Sequence, residues 1–129
     1  MTTINVYLAG RYESMDVMRE VREVWGGGKR RAVVTSRWID GKHSDATRAL
    51  SAVAATEDLE DIDAAEVLVI WSPREHFRTG RGGRHVEVGY ALARGKRIIL
   101  VGERENVFHH HPAIEQVADW PSAYEALWR

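Results

Sequence analysis

The chain has 129 residues, of which 44% are hydrophobic and 29% are charged, and its formal net charge is -1. These values are typical of one globular domain, which we expect to span residues 1–129. Because there is no cysteine, disulfide frameworks and thiolate metal sites are excluded, and a cytoplasmic location is favoured. The near-neutral charge offers no basic stripe for polymeric nucleic acid. No apolar run approaches the ~18 residues of a membrane span, and no signal peptide is evident, so we expect no membrane partner.

Strand and helix patterns alternate along the chain. The first half of the chain has a predicted strand at 4–9, a helix at 14–25, a strand at 32–35 and a long helix at 45–64. The second half has predicted strands at 66–71 and 97–101, with a helix at 85–93 between them, followed by a weak strand at 115–118 and a helix at 122–128. Predicted loops occupy 38–44, 74–83 and 103–112. This alternation of apolar strands and helices predicts an α/β fold. We expect a single doubly wound, flavodoxin-like or Rossmann-like domain with a mostly parallel sheet of about five strands.

Polar residues gather where the predicted strands end. Gly10 and Arg11 follow the first strand, and polar loops at 72–83 and 102–111 follow the third and fourth strands. Because ligands of such sheets bind at the carboxyl ends of the strands, we expect the site at this edge. Trp71 ends the third strand, where it could stack on a base or belong to the core.

Glycines lead directly into the helix that carries Glu87. A helix N-terminus has partial positive charge and N–H groups without partners within the helix, so a carboxylate there stays ionised and can act as a nucleophile. The same position can hold a phosphate, and the arginines at 74, 78, 81 and 84, which cluster around the glycines, form a basic run that can bind one as well. Spacing alone also allows Glu87 to be no more than a favourable acid in the first turns.

A second group of acids lies in the predicted long helix. Asp58 and Asp61 are three positions apart and therefore share one helical face. Acid-rich helix ends are usually solvated surface. Two carboxylates that share a pocket can instead divide the roles, one staying charged and the other holding a proton.

The remaining motifs indicate neither a metal nor a cofactor. His109, His110 and His111 are consecutive in a predicted loop, so their side chains point in different directions, and there is no HExxH pattern. We therefore predict no metal site. The basic run at 29–31 is interpreted as solvated surface.

Three segments resemble a known family in order and spacing. They are VYLAG at 6–10, DLEDI followed by AEVLVI between 58 and 70, and Gly83 followed by EVGYAL at 87–92 and GKR at 95–97. Together they resemble the nucleoside 2-deoxyribosyltransferase family, including its nucleotide N-glycoside hydrolase relatives. The resemblance covers roughly residues 4–102.

The resemblance implies roles for individual residues. Glu87 matches the nucleophile, Asp58 an acid that helps to protonate the leaving base, and Tyr7 a tyrosine that orients the nucleophile. Gly10 and Arg11 occupy the turn that holds a 5′-phosphate in the phosphate-preferring branch. The family assembles sites across subunits, so the resemblance also implies a homo-oligomer, a dimer or larger. The other substrate-binding residues expected are Trp71, Arg81 and Gly83, together with Asn106 and His109, which would reach a neighbouring pocket.

One departure from the family pattern bears on the substrate. The transferase branch has an aspartate six positions before the nucleophile, and this chain has Arg81 there. The arginine favours a substrate with a phosphate or an unusual base.

The implied activity is cleavage or exchange of the N-glycosidic bond of a (deoxy)nucleoside or nucleoside 5′-monophosphate through a covalent glycosyl-Glu87 intermediate. Hydrolase and transferase are both open. One alternative is a non-catalytic nucleotide-binding or sensing module, and another is a glycosidase for a different N-riboside, such as a nicotinamide dinucleotide. A binding module would need neither Glu87 nor Asp58.

Overall fold

Five parallel strands form one sheet within residues 2–41 and 51–129, the part of the chain that the computed structural model describes. Four α-helices within the same residues connect or follow the strands. In chain order the elements are β1 (Thr2–Ala9), α1 (Met15–Gly26), β2 (Arg30–Val34), α2 (Ala52–Asp63), β3 (Val67–Ser72), α3 (Gly83–Ala93), β4 (Arg97–Gly102), β5 (Ile114–Val117) and α4 (Trp120–Leu127). The predicted doubly wound α/β fold is confirmed.

The strand order β2-β1-β3-β4-β5 places β1 inside the sheet. Val6 is in register with Val34 on one side and with Val67 on the other. Residues 6–9 are fully buried, which explains why β1 is a continuous apolar run and does not alternate. Because β2 and β3 lie on opposite sides of β1, the chain leaves β1 and β3 in opposite directions. A crevice opens at their carboxyl ends, where flavodoxin-like sheets of this order bind ligands.

The helices cover both faces of the sheet. α1 and α4 pack together, with the ring of Trp25 5.7 Å from that of Trp120. α2 and α3 also pack together, and the Tyr90 hydroxyl donates to the Asp63 carboxylate at 2.9 Å. Right-handed crossovers place the two pairs on opposite faces. None of the described helices combines the length and the apolar character that crossing a bilayer requires.

Several predicted boundaries were wrong. Of the helix predicted at 45–64, the described residues contain α2, which begins at Ala52: the backbone of Ser51 is extended (φ -92°, ψ 118°), and its hydroxyl caps α2 by accepting from the N–H of Ala54 at 3.1 Å. Residues 42–50 lie outside the described residues. The helix predicted at 85–93 begins at Gly83, and the last helix begins at Trp120 because Asp119 caps it. A single 3₁₀ turn at Val107–His110 lies within a predicted loop, and another at Arg37–Asp40 begins one residue before the loop predicted at 38–44.

Candidate active site

A cavity of about 280 Å³ opens at the carboxyl edge of the sheet, between the loops that follow β1 and β3. Its volume lies near the lower end of the roughly 300–1,000 Å³ range of ligand sites, which suits a small molecule. Four regions supply the lining: the turn after β1, the turn after β2, the N-terminal half of α2 with its cap, and the loop that leads into α3. The lining residues are Gly10, Arg11, Tyr12, Glu13, Trp38, Ser51, Ala54, Ala55, Asp58, Gly80, Arg81, Gly82, Gly83, Arg84 and Glu87.

Glu87 faces inward from α3. The buried positions of α3 are 84, 87, 88 and 91, so this carboxylate occupies the face on which apolar residues are expected. It is only 8% exposed and lines the cavity. The hydroxyl of Tyr7, a fully buried residue of β1, donates a hydrogen bond to Oε2 of Glu87. The sheet therefore fixes the orientation of this carboxylate through Tyr7.

The two aspartates that were expected to share one face of α2, Asp58 and Asp61, have different surroundings. Asp58 lines the cavity with Glu87. Asp61, one turn later, is bound by Arg37, whose Nε donates to Oδ1 and whose backbone N–H donates to Oδ2, both at 2.9 Å. Asp61 therefore joins the turn after β2 to α2, and only Asp58 is placed to act on a ligand of this cavity.

The loop before α3 brings backbone and positive charge to the cavity. Gly80 and Gly82 have φ of 75° and 83°, a left-handed conformation that glycine adopts without strain. With it the chain turns directly into the first residue of α3, Gly83. Arg81 and Arg84 line the cavity here, and Arg11 faces them from the turn after β1. The charge of Arg84 is paired with Glu105, so the positive end of the helix dipole and the guanidinium groups of Arg11 and Arg81 are what favours an anionic ligand group.

Two aromatic residues of the cavity wall were missed by the sequence analysis. Tyr12 and Trp38 both line the cavity, and their ring centroids are 6.2 Å apart. Trp38 is anchored by its indole N–H, which donates to the carbonyl of Leu8 at 2.9 Å. Its position directly after β2, at the carboxyl edge, was the signal that could have identified it.

Neither a protein-family model nor a curated protein sequence matches the chain. Its structure is similar to that of the CMP N-glycosidase of Clostridium botulinum, with a TM-score of 0.57 and 17% identity over 95% of this chain and 97% of that chain. A 2-deoxyribosyltransferase of Bacillus psychrosaccharolyticus matches with a TM-score of 0.63 and 17% identity over 93% and 90%. A 2-deoxyribosyltransferase of Leishmania mexicana matches with a TM-score of 0.55 and 17% identity over 78% and 65%.

The chain has the deoxyribosyltransferase fold. The fold that the sequence resemblance implied is therefore confirmed. Six of the residues expected at the site line one cavity. A seventh, Tyr7, does not line the cavity but donates a hydrogen bond to Glu87, which does. The six are Gly10, Arg11, Asp58, Arg81, Gly83 and Glu87.

Three residues expected at the site of this deoxyribosyltransferase fold do not line the cavity. Trp71 packs edge-on against His76, with ring centroids 4.9 Å apart, and also against Trp120. Asn106 caps the 3₁₀ turn that follows it by accepting from the N–H of Phe108 at 2.9 Å. His109 is 1% exposed and accepts from the N–H of Glu105 at 2.9 Å. The two ring contacts of Trp71 favour the interpretation that this residue belongs to the core.

The environment of His109 keeps its ring neutral. Burial, reinforced by the neighbouring His85, lowers the pKa of His109 to about 4. Burial, reinforced by Arg84, also lowers the pKa of His85. A neutral His109 can accept at Nδ1, which is the role that its hydrogen bond with Glu105 requires.

Neither the histidine run nor the basic run forms part of the cavity. Within residues 2–41 and 51–129, no group of three or more metal-ligating side chains is arranged to hold an ion. Arg30 pairs with Glu125 at 3.3 Å and lies over the rings of Tyr124 and Trp128. This pair is at the amino end of β2, on the sheet edge opposite the cavity.

Proposed function

We propose that the chain cleaves or exchanges the N-glycosidic bond of a nucleoside or nucleoside 5′-monophosphate, with Glu87 as the nucleophile. The observation that carries the proposal is a buried carboxylate, oriented by Tyr7 and lining a nucleoside-sized cavity together with a second carboxylate, Asp58. The fold supports it, because the chain shares that fold with a CMP N-glycosidase and two deoxyribosyltransferases.

In the first step, an oxygen of Glu87 attacks C1′ as the bond between C1′ and the base nitrogen breaks. The electron pair of that bond passes to the base, and Asp58 donates a proton to it. Positive charge develops on the sugar in an oxocarbenium-like transition state, and the ionised Glu87 stabilises it. The product is a glycosyl ester of Glu87 and a free base.

In the second step, an acceptor attacks C1′ and releases Glu87 as a carboxylate. With water as acceptor, Asp58 takes its proton and the product is a free sugar with retained configuration. With another base as acceptor, Asp58 takes the proton from its attacking nitrogen, and the product is a new nucleoside. Because both displacements occur at C1′ while the sugar is bound to Glu87, the two steps of the reaction use the same cavity.

A 5′-phosphate on the substrate is supported by the charge of the cavity wall. Arg11 and Arg81 approach from opposite loops beside the N-terminus of α3. Arginine binds phosphate oxygens through two parallel N–H groups, and a helix N-terminus favours the same charge. The tyrosine and tryptophan of the wall, Tyr12 and Trp38, offer aromatic surface for the base.

The test is a substrate panel that contains nucleosides, their 5′-monophosphates and nicotinamide N-ribosides. We expect chromatography to show free base released from at least one nucleoside or 5′-monophosphate. Adding a foreign base then separates transfer from hydrolysis. Binding without release of any base would contradict the proposal and favour a nucleotide-binding module.

Arg81→Ala is expected to weaken the use of 5′-monophosphates specifically. Loss of a charge-assisted hydrogen bond of about 1.5–3 kcal/mol corresponds to a roughly 10- to 100-fold rise in KM. KM for the matching nucleoside should stay within about twofold, because it has no phosphate to lose contact with. Arg74→Ala is the matched control, since Arg74 is on the same loop, is 77% exposed and pairs with Glu103. Equal changes on both substrates would reject a phosphate contact for Arg81.

Assembly into a homo-oligomer and a cytoplasmic location stay predictions. Val86 on α3 and the turn residues Val107 and Phe108 are large apolar side chains that are mostly exposed, and the two segments meet where Asn106 lies 3.4 Å from His85. Such a surface supports an interface with another copy. Sedimentation equilibrium tests it, and a monomer at micromolar concentration would contradict it.

A further inference from the structure

A buried ion pair lies directly behind the loop that forms one wall of the cavity. The side chain of Arg84 is 2% exposed and that of Glu105 is 8% exposed. One nitrogen of Arg84 lies 2.9 Å and 3.2 Å from the two carboxylate oxygens. Arg84 is in the first turn of α3, whereas Glu105 follows β4, so the pair joins two loops at the carboxyl edge.

Both members of the pair also bind the backbone of residues 76–83, which we name the glycine loop. Arg84 donates to the carbonyls of Thr79 at 3.0 Å and His76 at 3.1 Å. Glu105 accepts from the N–H of Arg78 at 3.0 Å. The ion pair thus binds three backbone groups of one loop.

The glycine loop needs such external support because its own backbone is irregular. Arg78, Gly80 and Gly82 all have positive φ. Arg78 has a Cβ, so its φ of 61° is a conformation that non-glycine residues rarely adopt. Conformations of this kind persist only where surrounding contacts impose them, and here the contact is the hydrogen bond from Arg78 to Glu105.

We propose that Glu105 and Arg84 are positioning residues, which hold the glycine loop in its substrate-binding conformation before the substrate arrives. The loop contributes residues 80–83 to the cavity wall, whereas Glu87 is held separately by Tyr7 and α3. Loss of the pair therefore affects substrate binding far more than the chemical step. The expected change in kinetics rests on the proposed function. The anchoring of the loop does not rest on it, because it follows from the hydrogen bonds alone.

The experiment compares Glu105→Gln and the double variant Arg84→Met/Glu105→Leu with the unaltered protein. Glu105→Gln leaves the Arg84 charge buried without its counter-charge, which can unfold the chain. The double variant removes both charges and replaces them with apolar groups of similar size, so it retains the fold while losing all the hydrogen bonds of the pair to the loop.

Hydrogen–deuterium exchange is the first readout. We expect peptides covering 76–83 to exchange roughly tenfold faster in the double variant, with the strands of the sheet unchanged. Steady-state kinetics are the second readout, and we expect KM to rise about tenfold while kcat stays within about threefold. A purely structural role would lower the unfolding temperature and leave both loop exchange and KM unchanged.

Glu115→Gln is the matched control. Glu115 pairs with Arg97 at 2.9 Å, and Arg97 also donates to the carbonyl of Ala126 at 2.7 Å, so the same types of group bind each other and the backbone, in a more exposed pair at the opposite sheet edge. This variant should change neither loop exchange nor KM. Because exchange requires no substrate, it decides the anchoring even if no nucleotide is cleaved. Exchange of 76–83 at the unaltered rate in the folded double variant would overturn the proposal.

Discussion

Replacing Glu87 with glutamine is expected to lower the rate of base release by on the order of 10⁴-fold or more, equivalent to about 5.5 kcal/mol of transition-state stabilisation. The amide retains the size of the carboxylate and can still accept from the Tyr7 hydroxyl, so the packing is preserved. It lacks the negative charge that attacks C1′ and stabilises the developing positive charge on the sugar. Single-turnover measurement of free base, at saturating substrate, checks the effect on chemistry alone.

Glu66→Gln is the control for this substitution. Glu66 accepts from the backbone N–H of Asn5 at 3.1 Å, at the amino ends of the strands and away from the cavity. We expect its activity to stay within about twofold of the unaltered chain, because surface substitutions far from a site rarely matter. If Glu87→Gln kept a rate within tenfold of the unaltered chain while folding normally, Glu87 would not be the nucleophile.

Replacing Asp58 with asparagine is expected to slow base release by about 10²- to 10⁴-fold, the usual contribution of general acid catalysis. The loss should depend on the leaving group. A substrate whose leaving group is stable as an anion, such as a nitrophenyl glycoside, needs no proton and should lose less than about tenfold. The measurement is kcat of both substrates with both enzymes.

Asp63→Asn is the matched control on the same helix. Asp63 accepts from the Tyr90 hydroxyl, and an asparagine there can still accept, so both kcat values should be unchanged. Equal losses on the two substrates in Asp58→Asn would show that Asp58 positions the substrate and does not supply a proton.

The fold could be predicted from the sequence because its strands are buried on both faces. Continuous apolar runs such as 67–71 mark strands covered by helices, and glycines or polar segments separate them. The start of α2 after Ser51 could not be predicted, because the sequence around Ser51 contains neither glycine nor proline and is compatible with helix. Ser51 acts through a side-chain cap that depends on the local backbone conformation.

The candidate site could be predicted only in part. Gly10, Arg11 and the residues around Glu87 follow strands, so the topology places them at one edge. Asp58 is on a helix, and the resemblance, not the spacing, separated it from Asp61. Tyr12 and Trp38 were missed because aromatic residues occupy cores as readily as ligand sites. The pairing of Arg84 with Glu105 joins residues 21 positions apart, and only the folded chain brings them together.

The measurement that tests the central claim most directly is the mass of the protein during turnover. A 2′-fluorinated substrate slows both steps by destabilising the oxocarbenium-like transition state, and an activated leaving group restores the first, so the glycosyl ester accumulates. We expect acid-quenched protein to gain the mass of one glycosyl group, on the peptide that contains Glu87, and Glu87→Gln to gain none. Base release without any adduct on the unaltered chain, or an adduct on another residue, would contradict the account.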